Sequence, residues 1–199
     1  MKNYPGENYL SDQPARSELW AILTQVDADL AEQARLKGCQ HCGGVLHRGN
    51  YARKVCGMGM VEATRDSFCC ATDDCRRRTT PASVRFLGRR VYAGFVVVLL
   101  AALRHGLSAQ RVQVLRERLG VDQRTLQRWR SWWLEQFAGG RLWREGRGRL
   151  MPPIDEAALP ASLWERFYAH RGPPPQQEDP LVKLLRFLTP WSTREVARN

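Results

Sequence analysis

Two short cysteine motifs constrain the fold of this 199-residue chain more than any other sequence feature. The first is Cys39-Gln40-His41-Cys42, and the second is Cys69-Cys70-Ala71-Thr72-Asp73-Asp74-Cys75. A Cys-x-x-Cys turn lets two thiolates reach one tetrahedral ion, and a second turn has to supply the other pair. The segment 39–75 holds five glycines and few large apolar side chains. It therefore needs a metal ion to hold a fold.

The spacing predicts a closed structural site with zinc as the cofactor and four cysteine ligands: Cys39, Cys42, Cys70 and Cys75. Cys70 is the preferred third ligand, because on a strand whose Phe68 points to the core Cys70 points the same way. Cys69 is the alternative. Cys56 stands alone and is expected to be a free thiol. The two histidines of this segment are expected not to be ligands.

Positive charge is concentrated in one part of the chain. The formal net charge is +11, and residues 76–150 contain 17 arginines, no lysine and four acidic side chains. The segments on either side are close to neutral. Arginine binds phosphate in a bidentate manner and reads guanine edges better than lysine does. Double-stranded DNA is therefore the expected partner.

Apolar periodicity predicts a mainly α-helical protein. It predicts a helix from Arg16 to Lys37 after a loosely attached segment 1–14, and three central helices at 89–105, 108–119 and 123–137. Two short C-terminal helices are predicted at 161–169 and 180–188, and strands at 45–47 and 67–69. The predicted fold is a helix-turn-helix bundle with a small β zinc ribbon inserted after an N-terminal helix.

Changes in composition divide the chain into four segments. The predicted units are an N-terminal arm and helix (1–38), a zinc ribbon (39–88), a helix-turn-helix DNA-binding domain (89–140), and a basic linker with C-terminal helices (141–199). The linker is predicted because residues 141–153 are rich in arginine and glycine.

The last of the central helices carries the predicted DNA-reading face. The turn Gly120-Val121-Asp122 separates two helices with apolar faces, which is the layout of a helix-turn-helix. One stripe of the second helix is expected to be buried: Leu126, Trp129, Trp133 and Phe137. The other side is expected to enter the major groove with Gln123, Arg124, Gln127 and Arg128. Phosphate contacts are expected from Arg76, Arg77, Arg78, Arg85, Arg89 and Arg90.

Together these motifs resemble bacterial insertion-sequence proteins, in which a zinc ribbon precedes a helix-turn-helix. The resemblance rests on Cys39-x-x-Cys42, on Cys70-x4-Cys75 running into Arg76–Pro81, and on Gly120–Leu126, and it covers about residues 39–137. Such transposases continue into a nuclease domain with three acidic residues on a ribonuclease-H-like sheet. The last 49 residues here are neutral and too short for that sheet. The resemblance therefore implies DNA binding without strand cleavage.

The main hypothesis is a zinc-dependent DNA-binding protein of a mobile genetic element that binds element ends or a promoter. The alternative is an adaptor that docks a separate recombinase or other protein partner through the ribbon and the C-terminal helices; a transposase or recombinase is the protein partner considered. The apolar side chains of those helices could instead pack on the main helices. A third hypothesis, RNA binding, has only Tyr51 and Phe68 as stacking candidates in the ribbon. We expect no enzyme, because the sequence offers no nucleophile–base–acid set and no phosphate-binding glycine loop.

The expected location is the cytoplasm, in association with the nucleoid. The longest apolar run, Val91–Leu103, has 13 residues, whereas a bilayer requires about 20. Met1–Gln13 contains no basic stretch followed by an apolar one, so no signal peptide is expected. Cysteines stay reduced in that compartment, which favours metal binding over disulfides.

Overall fold

The computed structural model describes residues 6–56, 58, 61–87, 92–103, 108–169 and 178–193, which form a mainly α-helical fold with a small β region. The helices are α1 (Asn8–Ser11), α2 (Gln13–Lys37), α3 (Gly94–Leu103), α4 (Ala109–Arg118), α5 (Gln123–Ser131), α6 (Arg141–Arg147), α7 (Ala161–Ala169) and α8 (Pro180–Phe187). The strands are β1 (Leu46–Arg48), β2 (Tyr51–Val55), β3 (Val61–Arg65), β4 (Phe68–Cys70) and β5 (Arg78–Thr79). A π-helical segment (Trp132–Phe137) extends α5, and 3₁₀ turns lie at Glu156–Ala158 and Thr189–Ser192.

The strands form two small antiparallel sheets. One has the order β1-β4-β5, and the other is the hairpin β2-β3. In the first sheet Leu46 lies opposite Cys70, and Cys69 lies opposite Arg78. The predicted strands at 45–47 and 67–69 are confirmed to within one residue, whereas the hairpin β2-β3 was not predicted.

The long helix α2 begins earlier than its apolar pattern indicates. It starts at Gln13 rather than Arg16, because the side chain of Asp12 accepts a hydrogen bond from the backbone N–H of Ala15. It ends before Gly38 as predicted. One face of the helix, including Leu19, is buried.

The loose attachment predicted for residues 1–14 is wrong for the part that the structure describes. Leu10 on α1 is only 1% exposed. Glu7 forms an ion pair with Arg111 of α4, and the hydroxyl of Tyr9 donates to Asp179 just before α8. Residues far apart in sequence therefore hold this segment, and local periodicity does not report such contacts.

Helix α3 is the centre of the main hydrophobic core. It is apolar on every side, and its residues from Phe95 to Leu100 are almost completely buried. It contacts α1, α4, α5, α7 and α8. The C-terminal apolar side chains pack into the same core, including Leu163, Trp164, Leu181 and Trp191. They therefore do not form an exposed docking surface, which was the reason for the adaptor hypothesis.

Residues Arg141–Arg147 form helix α6, within the segment 141–153 that was predicted to be an arm or linker. The indole of Trp143 is fully buried, and its Nε1 donates to Glu156 at 3.0 Å. The buried Trp143 side chain thus fixes a segment whose arginine and glycine content had indicated an arm or linker. The predicted helices at 161–169 and 180–188 are confirmed as α7 and α8.

A buried polar cluster joins the helical core to the β region. Asp27 of α2 is 1% exposed, and its carboxylate accepts hydrogen bonds from the hydroxyl of Ser83 (2.6 Å), the backbone N–H of Val84 (2.7 Å) and Nε of Arg85 (2.8 Å). Nη2 of Arg85 donates to the carbonyl of Thr64 on β3 at 2.9 Å. The backbone N–H of Ser83 donates to the hydroxyl of Ser192 near the C-terminal end.

The phosphate contact predicted for Arg85 is therefore wrong. Its side chain is 5% exposed and is neutralised by Asp27 inside the protein. The number of arginines in residues 76–150 therefore overstates the positive charge available to a partner, because Arg85 forms an internal ion pair.

We predict that Asp27→Asn lowers the free energy of unfolding by about 3 kcal/mol, because the buried Arg85 charge then keeps only the more distant carboxylate of Asp66, at 3.5 Å, as its counter-ion. Urea denaturation followed by circular dichroism measures the change. The matched control is Asp29→Asn, an exposed position on the same helix, which should change the stability by less than about 0.5 kcal/mol. Equal stability of the two variants would contradict the role given to the ion pair.

Candidate metal centre and nucleic-acid interface

Four cysteine sulfurs converge on one point next to the C-terminal end of α2. The sulfurs of Cys39, Cys42, Cys70 and Cys75 all lie within 4.8 Å of one another. The Sγ–Sγ distance is 3.7 Å between Cys39 and Cys75, and 3.5 Å between Cys42 and Cys70. A tetrahedral ion with metal–sulfur bonds of about 2.3 Å separates its ligands by about 3.8 Å. The four thiols therefore have the spacing of a four-coordinate metal site.

Two backbone turns bring the cysteines together. In the first, the N–H of Cys39 donates to the carbonyl of Gly44, and the N–H of Gly43 donates to the carbonyl of Cys39. In the second, the N–H groups of Cys75 and Arg76 donate to the carbonyl of Thr72. A Cβ on Gly44 would lie 2.3 Å from the hydroxyl oxygen of Thr72 and 3.2–3.3 Å from two of the sulfurs. A residue with a Cβ at position 44 would therefore displace the Thr72 side chain and crowd the sulfurs of Cys42 and Cys70.

Strand alternation on β4 decides which of two adjacent cysteines joins the group. Phe68 and Cys70 are 2% and 0% exposed, while Cys69 between them is half-buried and faces outward. The sulfur of Cys69 contacts the carbonyl of Arg76 instead. Cys70, rather than Cys69, lies next to the other three cysteines, as predicted. Cys56 is a free thiol outside the group.

The pKa values of Cys39, Cys42 and Cys75 are shifted in different directions. Backbone N–H groups, first that of His41, lower the pKa of Cys39. The N–H of Gly44, followed by the neighbouring thiols, lowers the pKa of Cys42 to about 6. The N–H of Arg77 acts in the same direction on Cys75, but burial and the adjacent sulfurs outweigh it and raise the pKa of Cys75 to about 12. Thiolates this close repel one another, and a cation among them would remove that repulsion.

We predict that Cys70→Ser abolishes metal binding, whereas Cys69→Ser keeps it, because only Cys70 faces the other three sulfurs. Native mass spectrometry of each purified variant gives the metal content per chain. The neighbouring substitution is the control for general damage to β4. Metal loss from the Cys69 variant with retention by the Cys70 variant would overturn the ligand set.

The residues of α5 separate into a buried stripe and an exposed face, as predicted. Leu126, Trp129, Trp133 and Phe137 are all between 0% and 2% exposed. The predicted DNA-reading residues are all exposed: Gln123, Arg124, Gln127 and Arg128. The predicted helical span to residue 137 is confirmed, with its last six residues in π-helical geometry.

The turn before α5 is fixed by its own hydrogen bonds. Gly120 has φ = +64°, and its N–H donates to the carbonyl of Glu117. The N–H of the next residue, Val121, donates to the carbonyl of Arg116 at 2.8 Å. This pair of bonds is a Schellman motif, which requires a left-handed residue at the glycine position. Asp122 then caps α5 by accepting from the N–H of Thr125 at 2.6 Å.

The arginines of the described helices fall into two groups, those paired with a carboxylate and those without one, and Arg118 of α4 and Arg144 of α6 belong to the second group together with Arg124 and Arg128. Arg35, Arg141 and Arg186 each form an ion pair with a nearby carboxylate. Within the described residues, Arg124 and Arg128 lie within 4.0 Å of no carboxylate oxygen. The exposed face of α5 therefore presents cationic groups that the protein itself does not neutralise.

The three consecutive arginines after the second cysteine turn are exposed but not equivalent. Arg76 has φ = +43° and pairs with Asp73 in the same turn. The carbonyl of Arg77 accepts a hydrogen bond from the N–H of Cys70 at 2.9 Å. The guanidinium of Arg78 on β5 lies over the ring of Tyr51, 5.9 Å from its centroid. The cysteine turns thus set the position of Arg77 and Arg78. The predicted DNA contacts Arg89 and Arg90 lie outside the described residues.

Sequence reasoning missed Thr125, whose hydroxyl links the helix cap to Arg128. The sequence did contain an indication of this contact. Thr125 lies three residues after Asp122 and three residues before Arg128, and this spacing places the three side chains on the same side of the helix.

Comparison with known proteins gives no match to a family model, to a curated protein or to a solved structure. No helix in the described part of the chain has the length and apolar character needed to cross a bilayer.

Proposed function

We propose that this chain is a zinc-dependent DNA-binding protein of a mobile genetic element, which binds element ends or its own promoter. In this proposal α4, the turn at Gly120 and α5 act as a helix-turn-helix, and α5 enters the major groove. The supporting observation is the uncompensated polar face of α5, opposite four buried side chains. Exposed arginines without an ion pair also occur on α4 and α6, so the support comes from the position of Arg124 and Arg128 on the polar face of the helix that follows the Gly120 turn.

Zinc is the proposed ion because an all-sulfur tetrahedral set is typical of structural zinc sites. The hydrophobic cluster around the cysteines is small, with Ala31, Leu46 and Phe68 as its buried residues besides two of the cysteines. Such a cluster supplies little stability, so the ion would contribute most of the free energy that folds these turns. The β region then acts as a zinc ribbon that presents Arg77 and Arg78 to phosphates.

The two sets of arginines have different proposed roles. Arg124 and Arg128, together with Gln123 and Gln127, would contact base edges, which carry the sequence information. Arg76, Arg77 and Arg78 would contact phosphates, which position the protein without reading sequence. The link to a mobile element follows from the resemblance to insertion-sequence proteins. A gene neighbourhood with a nuclease-encoding frame between inverted repeats would support it, and a neighbourhood without either would oppose it.

We predict that alanine at Arg124 or Arg128 lowers the preference for a selected duplex over random DNA by roughly tenfold, since one bidentate base contact is worth about 1–3 kcal/mol. Alanine at both Arg77 and Arg78 should weaken binding to the two duplexes equally and reduce the slope of log K against log salt by about 0.9 per phosphate contact. Fluorescence anisotropy at several salt concentrations measures both quantities.

The matched control is Arg141→Ala on α6, an exposed arginine already paired with Glu145. It should leave the preference and the salt slope almost unchanged. Absence of any preference in the wild-type protein, after selection from a random library, would defeat the proposed sequence-specific function.

We predict one zinc ion per chain, and loss of the strands β1, β4 and β5 when a chelator removes it, while the helical core stays folded. The reason is that the large core does not include the cysteines. Amide hydrogen exchange read by mass spectrometry should show deprotection of 39–48 and 68–79 with protection retained in α3. Removal of the ion should also lower the affinity for non-specific DNA. Unchanged exchange in the cysteine turns would contradict a structural ion.

A further inference from the structure

A chain of hydrogen bonds runs along the first turn of α5. The N–H of Thr125 donates to Oδ1 of Asp122 at 2.6 Å, and the hydroxyl of Thr125 donates to Oδ2 of the same carboxylate at 3.0 Å. Nη2 of Arg128 donates to the hydroxyl oxygen of Thr125 at 2.7 Å. The directions are forced, because the carboxylate can only accept and the guanidinium can only donate. Thr125 is 1% exposed, so water competes little for its hydroxyl.

This series of hydrogen bonds distinguishes two of the three exposed arginines of α5, Arg124 and Arg128. Arg128 is held against the N-terminal turn of the helix by Thr125. Arg124, one turn closer to the start, has no side-chain hydrogen bond or ion pair among the described residues. A long arginine side chain loses rotamer freedom when it binds, and an arginine that is already held loses less. Arg128 is therefore prepared for one fixed geometry, whereas Arg124 can adapt.

We infer that Arg128 reads the N7 and O6 edge of a guanine in one fixed geometry, and that Thr125 is the positioning residue that aims it. The inference rests on the proposed DNA-binding function. A guanidinium has five N–H donors, and the bond to Thr125 uses one of them. The remaining donors suffice for the two parallel bonds that a guanine edge accepts in the major groove. Arg124, which is free to adapt, contacts a different base edge in a less fixed geometry.

The experiment uses the full chain and a duplex selected from a random library. Each guanine of that duplex is replaced in turn by 7-deazaguanine, which lacks the N7 acceptor. We expect one position at which the wild-type protein loses affinity roughly tenfold. At that position Arg128→Ala and Arg128→Lys should show no further loss, whereas Arg124→Ala should remain as sensitive as the wild type.

The positioning role is tested with Thr125→Val, which keeps the N–H that caps α5 but removes the hydroxyl. We expect a three- to tenfold lower preference for the selected duplex, a weaker 7-deazaguanine effect, and an unchanged affinity for random DNA. Thr125→Ser, which retains a hydroxyl, should restore the preference. Thr24→Val is the matched control, since the exposed Thr24 hydroxyl bonds only to a carbonyl of its own helix.

Each outcome decides between distinct conclusions. No preference in the wild-type protein removes both the proposed function and this inference. A wild-type preference that Thr125→Val leaves unchanged removes the positioning role alone, and sensitivity that follows Arg124 rather than Arg128 reverses the two assignments. If Thr125→Val fails to fold, as judged by circular dichroism, the Arg128→Lys result still decides whether the arginine fork reads the guanine.

Discussion

The ion pair between Asp27 and Arg85 is the interaction on which the arrangement of the elements depends. Both side chains are almost completely buried, and a buried charge costs several kcal/mol unless a partner and hydrogen bonds compensate it. The carboxylate binds the segment 83–85, and Arg85 in turn bonds to the carbonyl of Thr64 on β3. Through Ser83 the same cluster reaches Ser192. The Asp27 carboxylate thus connects α2 with the β region and, through Ser83, with the C-terminal end of the described chain.

Helix α2 connects two regions whose stability has different physical origins. Its middle part contributes Leu19, Leu23 and Val26 to the large hydrophobic core, where burial of apolar surface is the main stabilising term. Near its C-terminal end Ala31 packs against the small cluster that contains the cysteines. That cluster buries too little apolar area to compensate the entropy of ordering its turns. We therefore expect the helical part to fold whether or not the cysteines hold an ion, and the small sheet to depend on the ion.

The exposed face of α5 gains its rigidity from the buried one. Trp129 makes an edge-to-face contact with Tyr92, whose ring centroid is 5.1 Å away, and Trp133 and Phe137 continue into an aromatic cluster with Trp143. Packing on this side fixes the rotation of the helix about its axis, so the opposite polar residues point in a defined direction. Side chains offered by such an element lose less freedom on binding than those of a loop.

Sequence alone determined what depends on short-range geometry. The alternation that turns Cys70 inward and the stripe on α5 follow from the repeat of a strand or helix. The spacing of Cys39 and Cys42 and the glycine turn at Gly120 follow from short turn motifs. Contacts across long separations were decided only by the tertiary structure: Asp27 with Arg85, 58 residues apart, and Glu7 with Arg111, 104 residues apart. The local sequence shows that a side chain is charged but not whether it is buried, because burial depends on which distant segments pack around it.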